Sequence, residues 1–158
     1  MDSVSEGRLA EVCPALSSKI HLLADILTSA GTALRITQGL RTWAEQDALY
    51  QQGRTTPGAI VTNAPPGYSW HQFGLAADVV PMDPLPDWNV THPVWAKIIS
   101  SGEAVGLYSG DEFHTFKDEP HFQLTGVFPA SPNDEVRQIL LNEGMEAVWQ
   151  QAGLSLVS

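Results

Sequence analysis

The chain has 158 residues, 43% of them hydrophobic and 16% charged, a composition that predicts one globular domain around a single core. Eight Lys and Arg against eighteen Asp and Glu leave a formal net charge of -10, which repels nucleic acid and anionic membranes. Cys13 is the only cysteine, so no internal disulfide forms, and no apolar window approaches the length of a membrane span.

The opening "MDSVSEGRLAEVC" carries acidic groups where an export signal carries basic ones, and it holds no apolar run. Synthesis in the cytoplasm without a signal peptide is the expectation. Cys13, ahead of Pro14 and with no catalytic partner implied nearby, is not read as a nucleophile. From Pro14 to Ser29 a helix is predicted, because proline suits the first turn, Leu16, Ile20, Leu23 and Leu27 recur at helical spacing, and Gly31 stops it. "ALRITQ", Ala33 to Gln38, alternates around a β-branched centre and is predicted as a strand. A capping box of Thr42 and Glu45 opens the next helix, which Gly53 closes.

Residues 54–69, "RTTPGAIVTNAPPGYS", form a long irregular connection of the kind that carries function. Residues 76–80, "AADVV", are predicted as a strand whose unbroken apolar run implies burial on both faces. A proline-rich connection leads to a helix over residues 92–104, and "HFQL" after Pro120 reads as a short strand. A last helix is expected from Ser131 and Pro132, with acidic residues in its first turn. Its apolar phase slips at Gly144, which leaves one bent helix or two pieces open.

The chemistry concentrates in two stretches, "YSWHQFGLAADVV" and "FKDEPHFQL". Asp78 lies inside the apolar strand, and burying a carboxylate costs several kcal/mol unless a cation neutralises it. No Lys or Arg occurs between Arg54 and Lys97, so a local ion pair is not the obvious partner; a metal ion is. Catalytic zinc takes three protein ligands of His and carboxylate type and keeps one position open for water, a set that His71, Asp78 and His121 supply. Small residues between the first two, Gly74, Ala76 and Ala77, permit close backbone approach. Asp118, three residues before His121, is the candidate general base for water activated by the ion. Arg41 is the candidate cation for a developing oxyanion, although pairing with Glu45 or Asp47 on the following helix is the structural alternative. Trp43, Tyr50, Trp70 and Trp95 are assigned to the core rather than to a peptide groove.

Together these motifs resemble a known family. "SWHQFGLAAD" fits S-x-H-x-x-G-x-A-x-D and "DEPHF" fits D-x-P-H, the elements of zinc peptidases that cut peptidoglycan stem peptides, the D-Ala-D-Ala carboxypeptidase superfamily. "GLRTWAEQDALYQQGRTTPGAIVTNA" resembles the first block of its L-alanyl-D-glutamate endopeptidase branch, found in phage endolysins and bacterial wall hydrolases. The likeness spans residues 37–124. It implies an α+β domain of the D-Ala-D-Ala metallopeptidase or Hedgehog-like kind, with a small, mainly antiparallel sheet carrying the site and helices around it. It also implies one Zn2+ ion on His71, Asp78 and His121, Asp118 as base, Arg41 polarising the carbonyl, and Ser69 at the substrate-facing rim. The partner is then a peptidoglycan stem peptide, reached from the cytoplasm by release during lysis or other export, with a monomer of a single catalytic domain over residues 1–158 and no separate wall-binding domain. D-Ala-D-Ala carboxypeptidase or dipeptidase activity and a noncatalytic zinc-bearing wall-binding domain are the alternatives. The chain departs from the branch in "GLYSGDEFHTFKD", where a tryptophan and two glycines are usual, so Tyr108, Ser109 and Phe113 bear on substrate choice. His114 is read as an exposed loop residue.

Overall fold

The computed structural model describes residues 1–113 and 117–157. Its elements in chain order are α1 (Ser3–Leu9), α2 (Pro14–Ser29), β1 (Ala33–Gln38), α3 (Trp43–Gln51), β2 (Ala76–Asp83), β3 (Leu85–Pro86), α4 (Pro93–Ala104), β4 (Tyr108–Ser109), β5 (His121–Gln123), α5 (Asp134–Glu143) and α6 (Met145–Gln151). Two 3-10 turns, Trp70–Phe73 and Gly110–Glu112, flank the central strands in sequence. The sheet runs β1-β2-β5-β4 with every neighbour antiparallel, and β3 folds back on the far end of β2. This is the α+β architecture with a small antiparallel sheet that the sequence predicts.

Helix α2 and strand β1 occupy their predicted bounds. At the start of α3 the Thr42 hydroxyl accepts from Glu45 N at 3.2 Å while a Glu45 carboxylate oxygen accepts from Thr42 N at 2.8 Å, so both halves of the capping box form. Strand β2 extends past residue 80 to Asp83, because Ala33 of β1 and Pro86 of β3 pair with Met82. The last helix begins later than predicted: Asn133, not Ser131, caps it by accepting from Val136 N at 3.0 Å. It divides at Gly144 into α5 and α6, which decides between the two forms left open by the sequence. Helix α1 lies outside the predicted elements. At seven residues it is too short to show a period, and its hold is tertiary: Leu9 enters the core and the buried Ser5 hydroxyl accepts from Ile36 N at 3.0 Å.

Period-two alternation sorts the central strands into two faces. Ala77 and Phe122 are cross-strand partners within the core, with Leu16, Ile20 and Leu23 of α2 and Trp95 and Ile98 of α4 buried in the same cluster. Gly102 of α4 makes room for Phe122: a Cβ there would fall 2.2 Å from the phenyl ring. Asp78 and His121 are the next cross-strand pair and, one residue out of phase with Ala77 and Phe122, belong to the opposite face. Among the described residues, no helix is long and apolar enough to cross a membrane.

Asp2 ties the chain start to this frame. Its carboxylate accepts from Ser5 N at 2.8 Å and from Arg35 Nε at 2.7 Å, contacts that lower its pKa from 3.8 to about 2. A carboxyl depressed by folding stabilises the native state above its unfolded pKa, and that contribution is lost as pH falls through the folded value. We expect Asp2→Asn to lower the melting temperature at pH 7 and to narrow its difference from the parent chain as pH drops from about 4 to about 2. Equal melting differences at both ends of that window would refute the assignment.

Candidate metal centre and substrate cleft

His71 is set by the 3-10 turn that precedes β2. The turn closes at Gly74, whose φ of 63° is left-handed and whose missing Cβ would meet Met145 Sδ at 3.0 Å. The His71 carbonyl accepts from Arg41 N at 3.1 Å, which joins the turn to the segment between β1 and α3. The strand register places His121 beside Asp78. The three side chains thus arrive from three segments and meet in a tight triangle: His71 Nε2 to Asp78 Oδ1 is 3.1 Å, His71 Nε2 to His121 Nδ1 is 3.2 Å, and His121 Nδ1 to Asp78 Oδ1 is 3.2 Å. Both imidazoles are buried, and the Asp78 side chain is 19% exposed.

The outward nitrogens of both rings are engaged. His71 Nδ1 lies 2.9 Å from the Gly39 carbonyl, which can only accept, so this nitrogen carries the hydrogen and Nε2 of the neutral ring presents a lone pair. His121 Nε2 lies 3.0 Å from Gln123 Oε1, and Gln123 Nε2 donates to the Ala130 carbonyl at 2.9 Å, which fixes the amide orientation. His121 Nδ1 is thereby left facing inward with its lone pair. Two lone pairs and a carboxylate oxygen converge, an arrangement that repels itself without a proton or a cation. Donor separations of roughly 3.3 Å follow from tetrahedral metal–ligand distances of about 2.0–2.1 Å, so this donor set fits zinc in spacing and in chemical type.

Burial pushes the Asp78 carboxyl up, but His71 and His121 overcome it and hold the group well below the usual carboxylate range. Burial lowers the His71 pKa. It pushes His121 the same way, yet the Asp78 and Asp118 carboxylates more than compensate and leave His121 raised. Asp118 moves in the other direction, raised to about 6 by burial and then by the Asp78 charge.

Asp118 is held by its backbone. Its N–H donates to the Gly110 carbonyl at 3.0 Å, and its own carbonyl accepts from His121 N at 3.0 Å. Gly110 makes this approach possible, since a Cβ there would lie 2.3 Å from the Asp118 carbonyl oxygen. Arg41 donates to Gln46 Oε1 at 2.9 Å and approaches Asp78 Oδ2 at 3.4 Å, in place of the alternative partners Glu45 and Asp47. Its Nε is buried and, among the described residues, unpartnered. Gln46 in turn donates to the Ala64 carbonyl at 2.8 Å, linking Arg41 to the irregular connection of residues 54–69.

All six predicted site residues, His71, Asp78, His121, Asp118, Arg41 and Ser69, border one cleft of about 500 Å3. The cleft continues into a second lobe of about 600 Å3 that shares Tyr68, Phe113 and Asp118 with the first and reaches Tyr108 and Glu112. The departures from the branch pattern fall here. Phe113 lies 5.4 Å from the His121 ring and 6.0 Å from the Tyr108 ring, between centroids. Ser109 is buried and caps the Gly110–Glu112 turn by accepting from Asp111 N at 3.2 Å. His114 lies outside the described residues.

Trp95 and Trp70 are buried as predicted, although Trp70 also borders the cleft and donates its indole N–H to the Ala130 carbonyl at 2.9 Å. Trp88, absent from the predicted site, borders the cleft with 57% of its surface exposed. Gln123 was also missed, although its place two residues after His121 puts it on the same strand face. Burial pushes the Cys13 thiol up in pKa, which keeps it protonated.

Residues 10–125 match the family described as VanY: D-alanyl-D-alanine carboxypeptidase. Over 124 residues the chain is 31% identical to the Bacillus subtilis peptidoglycan L-alanyl-D-glutamate endopeptidase CwlK, covering 73% of this chain and 74% of that protein. The crystal structure of the Serratia marcescens L-Ala D-Glu endopeptidase ChiX superposes with a TM-score of 0.61 at 28% identity, covering 79% of this chain and 89% of ChiX. A variant of the vancomycin-resistance D,D-pentapeptidase VanY, solved in complex with Zn(II), shares the fold at a TM-score of 0.56 and 18% identity, covering 87% and 83% of the two chains. A family match across most of the chain, together with a curated relative above 30% identity, places this protein in the VanY D-alanyl-D-alanine carboxypeptidase family of peptidases.

Proposed function

We propose that this chain is a zinc-dependent endopeptidase that hydrolyses the L-Ala–D-Glu bond of peptidoglycan stem peptides. The observation that carries the reading is the triangle of His71 Nε2, Asp78 Oδ1 and His121 Nδ1 on the wall of a cleft that also presents Asp118 and Arg41. These three side chains would hold one zinc ion, which would supply Lewis acidity toward the scissile carbonyl and make a nearby water more acidic. Asp118, with a pKa raised toward neutrality, takes a proton from the attacking water and returns it to the departing amine. Arg41, held by Gln46, places its positive charge where the carbonyl oxygen becomes negative. Ser69 at the rim is positioned to meet the substrate backbone. Identity to CwlK supports the L-Ala–D-Glu bond as the target.

Three outcomes test this. Asp118→Asn is expected to lower kcat on purified peptidoglycan by about 10²–10⁴-fold while the zinc content of the protein stays at that of the parent; undiminished hydrolysis would remove Asp118 from the mechanism. Mass analysis of released fragments is expected to reveal new amino termini at D-Glu, whereas release of free D-Ala would transfer the activity to the carboxypeptidase alternative. Chelation is expected to abolish turnover and added zinc to restore it, and full activity in chelator would overturn the metal assignment.

A further inference from the structure

Tyr68 borders both lobes of the cleft, and its hydroxyl is anchored from outside that cleft. The phenol donates to Asp134 Oδ1 at 2.6 Å and accepts from Arg137 Nη1 at 2.9 Å, while Arg137 also meets Asp134 at 2.9 Å. The Arg137 guanidinium carbon stands 4.5 Å from the Tyr68 ring centroid and 5.6 Å from that of Trp43. Gly67 lets the chain lie against this group: its φ is +87°, and a Cβ there would come within 2.5 Å of Arg137 Nε and 2.8 Å of the Trp43 ring. Asp134 and Arg137 belong to the first turn of α5, past residue 125, where the family match ends.

An ordinary surface tyrosine is free to turn about its χ1. Here Asp134 and Arg137 of α5, the latter packed over Trp43 of α3, hold one ring where the two lobes share their lining. Its hydroxyl proton is engaged by Asp134, so the ring offers a ligand carbon surface. We propose that Tyr68 is a substrate-contacting residue whose fixed ring receives an alkyl portion of the stem peptide beside the cut bond, with Asp134 and Arg137 as its positioning residues. The inference rests on the peptidase reading above and adds a segment outside the matched family region to the substrate site.

The test is steady-state kinetics of the zinc-loaded full chain on a soluble stem tripeptide containing the L-Ala–D-Glu bond. Tyr68→Ala and Arg137→Ala are each expected to raise KM about five- to tenfold with kcat within about twofold of the parent, the signature of lost uniform binding. Zinc content and melting temperature identify folded, loaded protein. Because Arg137 acts through Tyr68, the double variant is expected to be no worse than Tyr68→Ala alone. Arg137→Lys is not expected to rescue, since an ammonium cannot stack as a planar guanidinium does. If Arg137→Ala fails to fold, Asp134→Ala, made at a side chain that is itself 79% exposed, removes one partner of the Tyr68 hydroxyl. That variant is expected to raise KM about two- to threefold. KM unmoved in Tyr68→Ala, or effects of the two single variants that simply add, would overturn the proposal. A parent chain that leaves the tripeptide uncut overturns the peptidase reading instead.

Discussion

The local arrangement depends on keeping three electron-rich atoms about a bond's reach too close for comfort. Two imidazole nitrogens and a carboxylate oxygen at 3.1–3.2 Å repel one another unless a proton or a cation lies among them. The fold supplies the restraint. Asp78 and His121 are neighbours in a hydrogen-bonded ladder, and a one-residue slip of β5 would send His121 into the core and Phe122 into the cleft. Each ring is held by an acceptor on its far nitrogen, so neither can rotate away without leaving a buried donor unpaired. Packing thus holds the three donor atoms at a spacing that fits a cation.

Around that centre the charges are graded. Proton-bearing contacts with His71 and His121 lower the Asp78 carboxyl well below the usual carboxylate range, whereas Asp118 is raised to about 6 by burial and then by the Asp78 charge. Two aspartates of the same intrinsic acidity are separated by surroundings alone, one lowered and the other raised. Arg41 enters between α3 and the His71 turn, and its bond to Gln46 holds the guanidinium near, but not closely on, the Asp78 carboxylate.

Much of this was legible in the sequence where one local rule dominates. The period of Leu16, Ile20, Leu23 and Leu27 gave α2, and Thr42 with Glu45 gave the start of α3, because propensity and capping act over a few residues. The ligand candidates could be read because a carboxylate in an apolar strand demands an explanation. What escaped depends on distance in space. Helix α1 has too few residues to show a period, and Asn133 outcompetes Ser131 as a cap only in the folded chain. Arg41 lies 37 positions from Asp78, so a search for a cation near Asp78 in sequence passes over it. Trp88 and Tyr68 gain their places only when separate loops meet over the cleft.

The relay from His121 through Gln123 to Ala130 has a chemical polarity. The Gln123 amide must turn its oxygen to the imidazole and its nitrogen to the Ala130 carbonyl, which also receives the Trp70 indole. Replacing Gln123 by Glu would convert this donor-and-acceptor spacer into a carboxylate. The imidazole would then face a stronger acceptor, while the main-chain oxygen at Ala130 would face a negative charge in place of an N–H. One altered atom would tighten the relay at the imidazole and break it at the Ala130 carbonyl.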